Sequence, residues 1–200
     1  MTPGRGARPP SLEGTAPAPR YTDRLFFALL PDAPAIARIE RLIADLRRDH
    51  GIKGKALGPS RFHVTLHLVG NFTGFPQAEA DAACAAAEAL TAIPSFKLVF
   101  DRVGSFARRP RNMPLVLLGD EGLIAAKAFQ QALGRAMARA GEDHGDAAHY
   151  TPHLTLLYDD THVAPRAIEP IGWTANEFVL VRSLIGQSRH EVLSRWLLHG

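Results

Sequence analysis

The chain has 200 residues, 46% of them hydrophobic and 22% charged, which is enough for one domain or one domain of two lobes around a sizeable core. No apolar stretch approaches the ~20 residues of a membrane helix, the opening residues lack the apolar stretch of a secretory signal, and a lone cysteine, Cys84, rules out an internal disulfide, so a cytoplasmic protein is expected. The net charge of +3 is uneven: residues 1–20 carry Arg5, Arg8 and Arg20 against Glu13, while the remainder holds 20 basic and 19 acidic side chains, too even a balance for a high-affinity duplex binder.

Residues 1–20, rich in Pro and Gly, are expected to be a disordered tail, and residues 21–200 a single domain. The ordered chain opens at "RLFFALLPD", residues 24–32, which reads as a buried strand closed by Pro31. Ile36, Ile39, Leu42, Ile43 and Leu46 then recur at helical spacing, and Gly51 ends that helix. A loop through Gly58, Pro59 and Ser60 leads into "FHVTLHLV", residues 62–69, a strand. Residues 76–93 form an alanine-rich second helix that buries Cys84 as a small apolar side chain. Two strands follow, "FKLVFDRVGSF" and "MPLVLLGD", then an amphipathic helix over residues 121–141. After it comes "PHLTLLYD", and the chain closes with "EFVLVRSLI" and "HEVLSRWLL" on either side of a Gly186-Gln187-Ser188 turn. Hairpins interleaved with helices point to α+β architecture with antiparallel sheet.

Two strands share an unusual pattern. His63-Val64-Thr65-Leu66 and His153-Leu154-Thr155-Leu156 repeat one motif ninety residues apart. Alternation along a strand puts His63, Thr65 and His67 on one face, and His153 and Thr155 on the matching face of the second copy. The opposite faces, with Phe62, Val64, Leu66 and Leu68, then Leu154, Leu156 and Tyr158, supply core. If the strands are neighbours, two histidines and two hydroxyls converge.

That set suits phosphodiester cleavage. A base must take a proton from the attacking oxygen and an acid must protonate the leaving oxygen. Imidazole performs either role near neutral pH. Threonine hydroxyls donate hydrogen bonds to the non-bridging oxygens as charge develops. No metal or other cofactor is called for. "GEDHGD" and "DDTH" mix carboxylates with histidine but match no ligand spacing. Arg108, Arg109 and Arg111 of "FARRPRN" are candidate phosphate contacts in a loop. His67 is a candidate substrate-orienting residue, and Phe72 packs in the core or stacks on a base.

Beyond the two motifs, the chain resembles the 2H phosphoesterase superfamily, specifically its RNA 2′,3′-cyclic phosphodiesterase branch, the LigT-like 2′-5′ RNA ligases. The resemblance rests on five segments in order: "RLFFAL", "HVTLHLVG", "PHLTL", "EFVLVRS" and "HEVLSRW". It implies a bilobal fold with pseudo-twofold symmetry, two antiparallel sheets lining a central groove, and helices outside. It implies a metal-independent opening of 2′,3′-cyclic phosphate ends of RNA to 2′-phosphates, with reversible 2′-5′ ligation in some relatives. His63 then matches the proton donor and His153 the proton acceptor, with Thr65 and Thr155 beside them. The expected partner is an RNA end or oligonucleotide carrying a cyclic phosphate, bound by a monomer without membrane attachment. The chain departs from the family pattern at Arg61, Thr151 and His190, which stand where Asn, Arg and Tyr are usual. A non-catalytic RNA-end binding module, a phosphodiesterase for a cyclic nucleotide or 2′-5′ oligonucleotide, and metal-dependent hydrolysis through His63, His153 and Asp159 are the competing readings.

Overall fold

In a computed structural model, which describes residues 20–106, 111–141 and 150–200, eight antiparallel strands form one continuous sheet. In chain order the strands are β1 (Asp23–Leu29), β2 (Val64–Phe72), β3 (Phe96–Ser105), β4 (Met113–Leu118), β5 (Leu154–Asp159), β6 (Arg166–Ala175), β7 (Glu177–Leu184) and β8 (Arg189–Leu197). The helices are α1 (Ala33–His50), α2 (Gln77–Glu88) and α3 (Ile124–Arg139). Across the sheet the order is β6-β3-β4-β5-β2-β1-β7-β8.

Two four-stranded halves can be seen in that order. One is β6-β3-β4-β5, the other β2-β1-β7-β8, and among the described residues Val64 opposite Leu154 is the single residue pair that joins β2 to β5. The two sheets expected from the resemblance are thus fused at one point into a single α+β sheet. The segments that lead into the two motif strands reinforce this seam by crossing it. Leu57 N–H donates to the Leu156 carbonyl at 2.9 Å, and the Tyr150 hydroxyl donates to the Thr65 carbonyl at 2.9 Å.

Local chemistry explains most elements. Helix α1 starts where the Asp32 carboxylate accepts from the Ala35 N–H at 2.8 Å, and ends where Gly51 takes the left-handed conformation at φ 64. It turns Ala35, Ile39, Ile43 and Leu46 onto the sheet. The apolar faces of α2 and α3 join the same core, so all three helices cover one face. Strand β1 is near the centre and buried on both faces. Leu25, Phe27 and Leu29 enter the main core, while Phe26 and Ala28 pack with Val179 and Val181 on the other side. The open face carrying that second cluster is where the site forms.

Strand β6 is not apparent in the sequence pattern, because Pro170 and the polar Glu169 interrupt it. A proline is tolerated there because β6 is an outermost strand, and the β3–β6 register shifts between Phe100 and Arg102, opposite the stretch that holds Pro170. The closing hairpin forms as expected, with Gly186 at φ 84 and Ser188 at φ 53. Among the described residues, no helix is long and apolar enough to cross a membrane. The tail over residues 1–19 lies outside the described residues.

Candidate active site

The register that sets Val64 opposite Leu154 also sets His63 across from Thr155 and Thr65 across from His153. Val64 and Leu154 point into the main core, so the four polar side chains lie together on the open face. The motif strands are neighbours, as convergence required.

Each histidine is held in the same way. His63 Nδ1 lies 2.7 Å from the Arg61 carbonyl, and His153 Nδ1 lies 2.8 Å from the Thr151 carbonyl. A carbonyl only accepts, so Nδ1 carries the proton in both neutral rings and Nε2 is the nitrogen with the basic lone pair. Each imidazole also rests against a phenylalanine: Phe26 at 4.9 Å from His63 and Phe106 at 5.0 Å from His153, between ring centroids. Neither Phe nor carbonyl titrates, so these contacts fix each ring without adding charge.

Immediately after each threonine the strand bulges, and the bulge is itself repeated. Thr65 stands opposite Ala28 and His67 opposite Phe27, which leaves Leu66 as the extra residue. Thr155 stands opposite Val116 and Leu157 opposite Leu115, which leaves Leu156. The inserted residue reverses the alternation. His67 therefore points to the core side with Phe27, buried like its counterpart Leu157, and does not share the face of Thr65 as alternation had implied. Conversely, Leu68 and Tyr158 turn onto the open face, 37% and 42% exposed. The doublet Leu156-Leu157 was the available signal for this break.

A third histidine completes the first half of the site. The register puts His190 opposite Ser183, which pairs with Arg24, at the far end of the strands from His63. Even so, the two imidazoles meet with centroids 5.3 Å apart. Phe26 packs against both, at 5.6 Å from His190. Burial pushes His190 down to about 4, helped by the neighbouring His63 and Arg61. Burial also lowers His63, outweighing the hydrogen bond to the Arg61 carbonyl, and His153 and Arg61 push it the same way. Arg61 and His190 stand out in the sequence only as departures from the family pattern. Nothing in a linear reading places them together.

The remaining candidates separate. Arg108 and Arg109 lie outside the described residues. Arg111 is exposed, in the loop whose base packs against His153 through Phe106. Phe72 packs against the main core, as does Cys84, whose Sγ lies 3.4 Å from Ser194 Oγ. Asp159 is committed elsewhere: its carboxylate accepts from the backbone N–H groups of Lys53, Gly54 and Thr161. Burial would raise that carboxyl, and these hydrogen bonds hold it below the usual range instead. Gly54 is required at this pin, since a Cβ there would fall 2.0 Å from the Tyr158 carbonyl oxygen. Among the described residues, no three His, Cys, Asp or Glu side chains are grouped to hold a metal ion.

Comparison with known proteins gives a consistent picture. The profile of the 2′-5′ RNA ligase superfamily matches residues 30–186. No curated protein gives a significant sequence match. Among solved structures, E. coli LigT in apo form superposes with a TM-score of 0.66 at 24% identity, covering 90% of this chain and 100% of that one. The TT0787 protein of Thermus thermophilus gives 0.69 at 22% identity, covering 88% and 98%. E. coli LigT complexed with 3′-AMP gives 0.63 at 26% identity, covering 90% and 100%.

Proposed function

Since the chain belongs to the 2′-5′ RNA ligase superfamily, we propose that it is a metal-independent phosphodiesterase that opens 2′,3′-cyclic phosphate ends of RNA to 2′-phosphates. The observation that carries this reading is the duplicated histidine geometry, two imidazoles each with Nδ1 on the carbonyl two residues before it, on neighbouring strands with a threonine two residues on. The 3′-AMP, ATP and NADP+ complexes of LigT support a nucleotide-sized ligand.

In the proposed reaction, water attacks phosphorus in line with O3′. His153 Nε2 takes the proton of that water, and His63 Nε2 gives a proton to O3′ as the P–O3′ bond breaks. The products are a 2′-phosphomonoester and a free 3′-hydroxyl. Thr65 and Thr155 donate to the non-bridging oxygens as negative charge builds. With a 5′-hydroxyl in place of water, the same steps join two ends by a 2′-5′ linkage. The resemblance supplies the direction of transfer, and the lowered pKa of His63 pulls against it, because a donor must begin protonated. The charge of the substrate resolves the conflict. An anionic phosphate beside His63 favours the imidazolium and restores the donor.

The test is turnover in excess EDTA on an RNA oligonucleotide with a 2′,3′-cyclic phosphate end, a nucleoside 2′,3′-cyclic phosphate and a 2′-5′-linked dinucleotide, with the product phosphate mapped by 31P NMR. The expected result is a 2′-phosphate from the cyclic ends. Tight binding without turnover makes the chain a binding module. Activity lost in EDTA and restored by a divalent ion replaces the two-histidine mechanism.

A further inference from the structure

Arg61 occupies an unusual position. It ends the short 3-10 turn Pro59–Arg61 and has its Nε enclosed by protein without a hydrogen-bond partner among the described residues. A guanidinium is permanently charged, and burying part of it without an acceptor is costly unless a ligand supplies one. Its neighbours are not acceptors of that kind. His63 and His190 both feel its charge, His153 acts on His63, and His63 acts on His190. Glu191, next to His190 in sequence, is engaged by Arg182 and Arg189. Arg24, which pairs with Ser183 beside His190, is hydrogen-bonded to Asn71. The counterpart of Arg61 in the second half is Thr151, exposed and uncharged. Among the described residues, the first half of the site therefore sets a guanidinium and two imidazoles close together.

We propose that Arg61, His63 and His190 form an anion cradle in the first half of the site, with Arg61 as its fixed cation and His190 as a cation switched on by the ligand, and that it holds a phosphate group of the substrate. This rests on the two-histidine reading for the word substrate; the word anion rests on the enclosed Arg61 Nε, the contact between the two imidazoles and the charge of Arg61 felt by both. Three features fit it. The cradle is lined on its inner side by Phe26, which excludes water from one flank of both imidazoles. Burial and like charge keep both rings biased to the neutral form, so an anion entering the cradle draws protons onto them. The proton drawn onto His63 is the one the leaving oxygen requires. Substrate charge thereby arms the donor, and Arg61 and His190 act as binding and positioning residues.

Inorganic sulfate is the probe, because it stays doubly charged through the range in which histidine titrates. Its binding to the full chain is measured by calorimetry in two buffers of different ionisation enthalpy, and by NMR of the imidazole Cε1–H signals. Wild-type protein is expected to take up protons on binding sulfate at pH 6, with the His63 and His190 signals moving toward the imidazolium position. Arg61→Gln is expected to weaken sulfate by about tenfold to a hundredfold, the loss of one charge-assisted contact, and Arg61→Lys to recover part of it. His190→Gln is expected to cut proton uptake and flatten the rise in affinity as pH falls. With a nucleoside 2′,3′-cyclic phosphate, Arg61→Gln is expected to raise KM more than it lowers kcat. Equal sulfate affinity in wild type and Arg61→Gln overturns the cradle, as does binding without proton uptake. If sulfate binds as stated but no cyclic phosphate turns over, the cradle stands and the catalytic reading falls.

Discussion

Removing the hydroxyl of Tyr150 is expected to loosen the seam between the two halves of the sheet, and the effect can be sized from the structure. Among the described residues β2 and β5 pair only through Val64 and Leu154, and the segment before β2 adds the Ala56–Leu157 bridge and the Leu57–Leu156 bond, so the 2.9 Å bond from the Tyr150 hydroxyl to the Thr65 carbonyl is one of few polar ties across the seam. Burial pushes the phenol well above its ordinary pKa, so it donates throughout any practical assay range. A net hydrogen bond contributes about 0.5–1.5 kcal/mol, and an enclosed carbonyl left short of a donor costs up to ~3 kcal/mol. Tyr150→Phe is therefore expected to cost about 1–2 kcal/mol, or a Tm lower by about 2–8 °C in a chain of this size. The bond also fixes Thr65 and, through the seam, His153 opposite it. Displacements of about 1 Å at a catalytic group can cost ~10² in rate, so kcat is expected to fall by roughly tenfold in protein that remains folded by circular dichroism. Tyr158→Phe is the control: that ring is 42% exposed, and its Tm should stay within the scatter of surface substitutions. A Tyr150→Phe variant with the Tm and kcat of wild type would refute the claim that this hydroxyl ties the halves together.

Three further outcomes follow from the same geometry. His63→Ala and His153→Ala should each reduce turnover by at least ~10², and a substrate with sulfur as the 3′ leaving atom should rescue His63→Ala far more than His153→Ala; the opposite rescue exchanges donor and acceptor. Thr65→Val and Thr155→Val should each weaken transition-state binding by roughly 1–4 kcal/mol in steady-state kinetics, and intact specific activity with a lowered Tm would make the hydroxyls structural. Folding holds His190 at about 4, below the ordinary 6.5, so the unfolded chain takes up that proton first as pH falls and stability declines from about pH 6.5 toward 4. Because the ring is half-exposed, the loss should be of order 1 kcal/mol, and His190→Phe should flatten that part of the acid limb in thermal melts unless the shift is absent.

Much of the site is legible in the chain alone because it is written in short range. The spacing His-x-Thr needs only the two-residue period of a strand, and β1, α1 and the closing hairpin announce themselves through apolar runs, Asp32 and Gly51 caps, and the Gly186 turn. Repetition of the motif in two apolar strands is sufficient to point to paired acid–base chemistry. Strand β6 escapes because its pattern is broken by Pro170, which only an outermost position tolerates, and position within a sheet is not a local property.

The linear chain sets the identity and order of the chemical groups, and folding sets which of them meet. A bulge depends on the partner strand, so alternation could not reveal that Leu66 and Leu156 are inserted and that His67 goes to the core while Leu68 and Tyr158 come out. The meeting of His63 with His190 spans 127 positions. Arg61 is an ordinary loop arginine until the fold brings its charge within reach of both imidazoles and encloses its Nε with no acceptor among the described residues. Local patterns select the side chains that can do chemistry, and long-range pairing sets their distances and protonation.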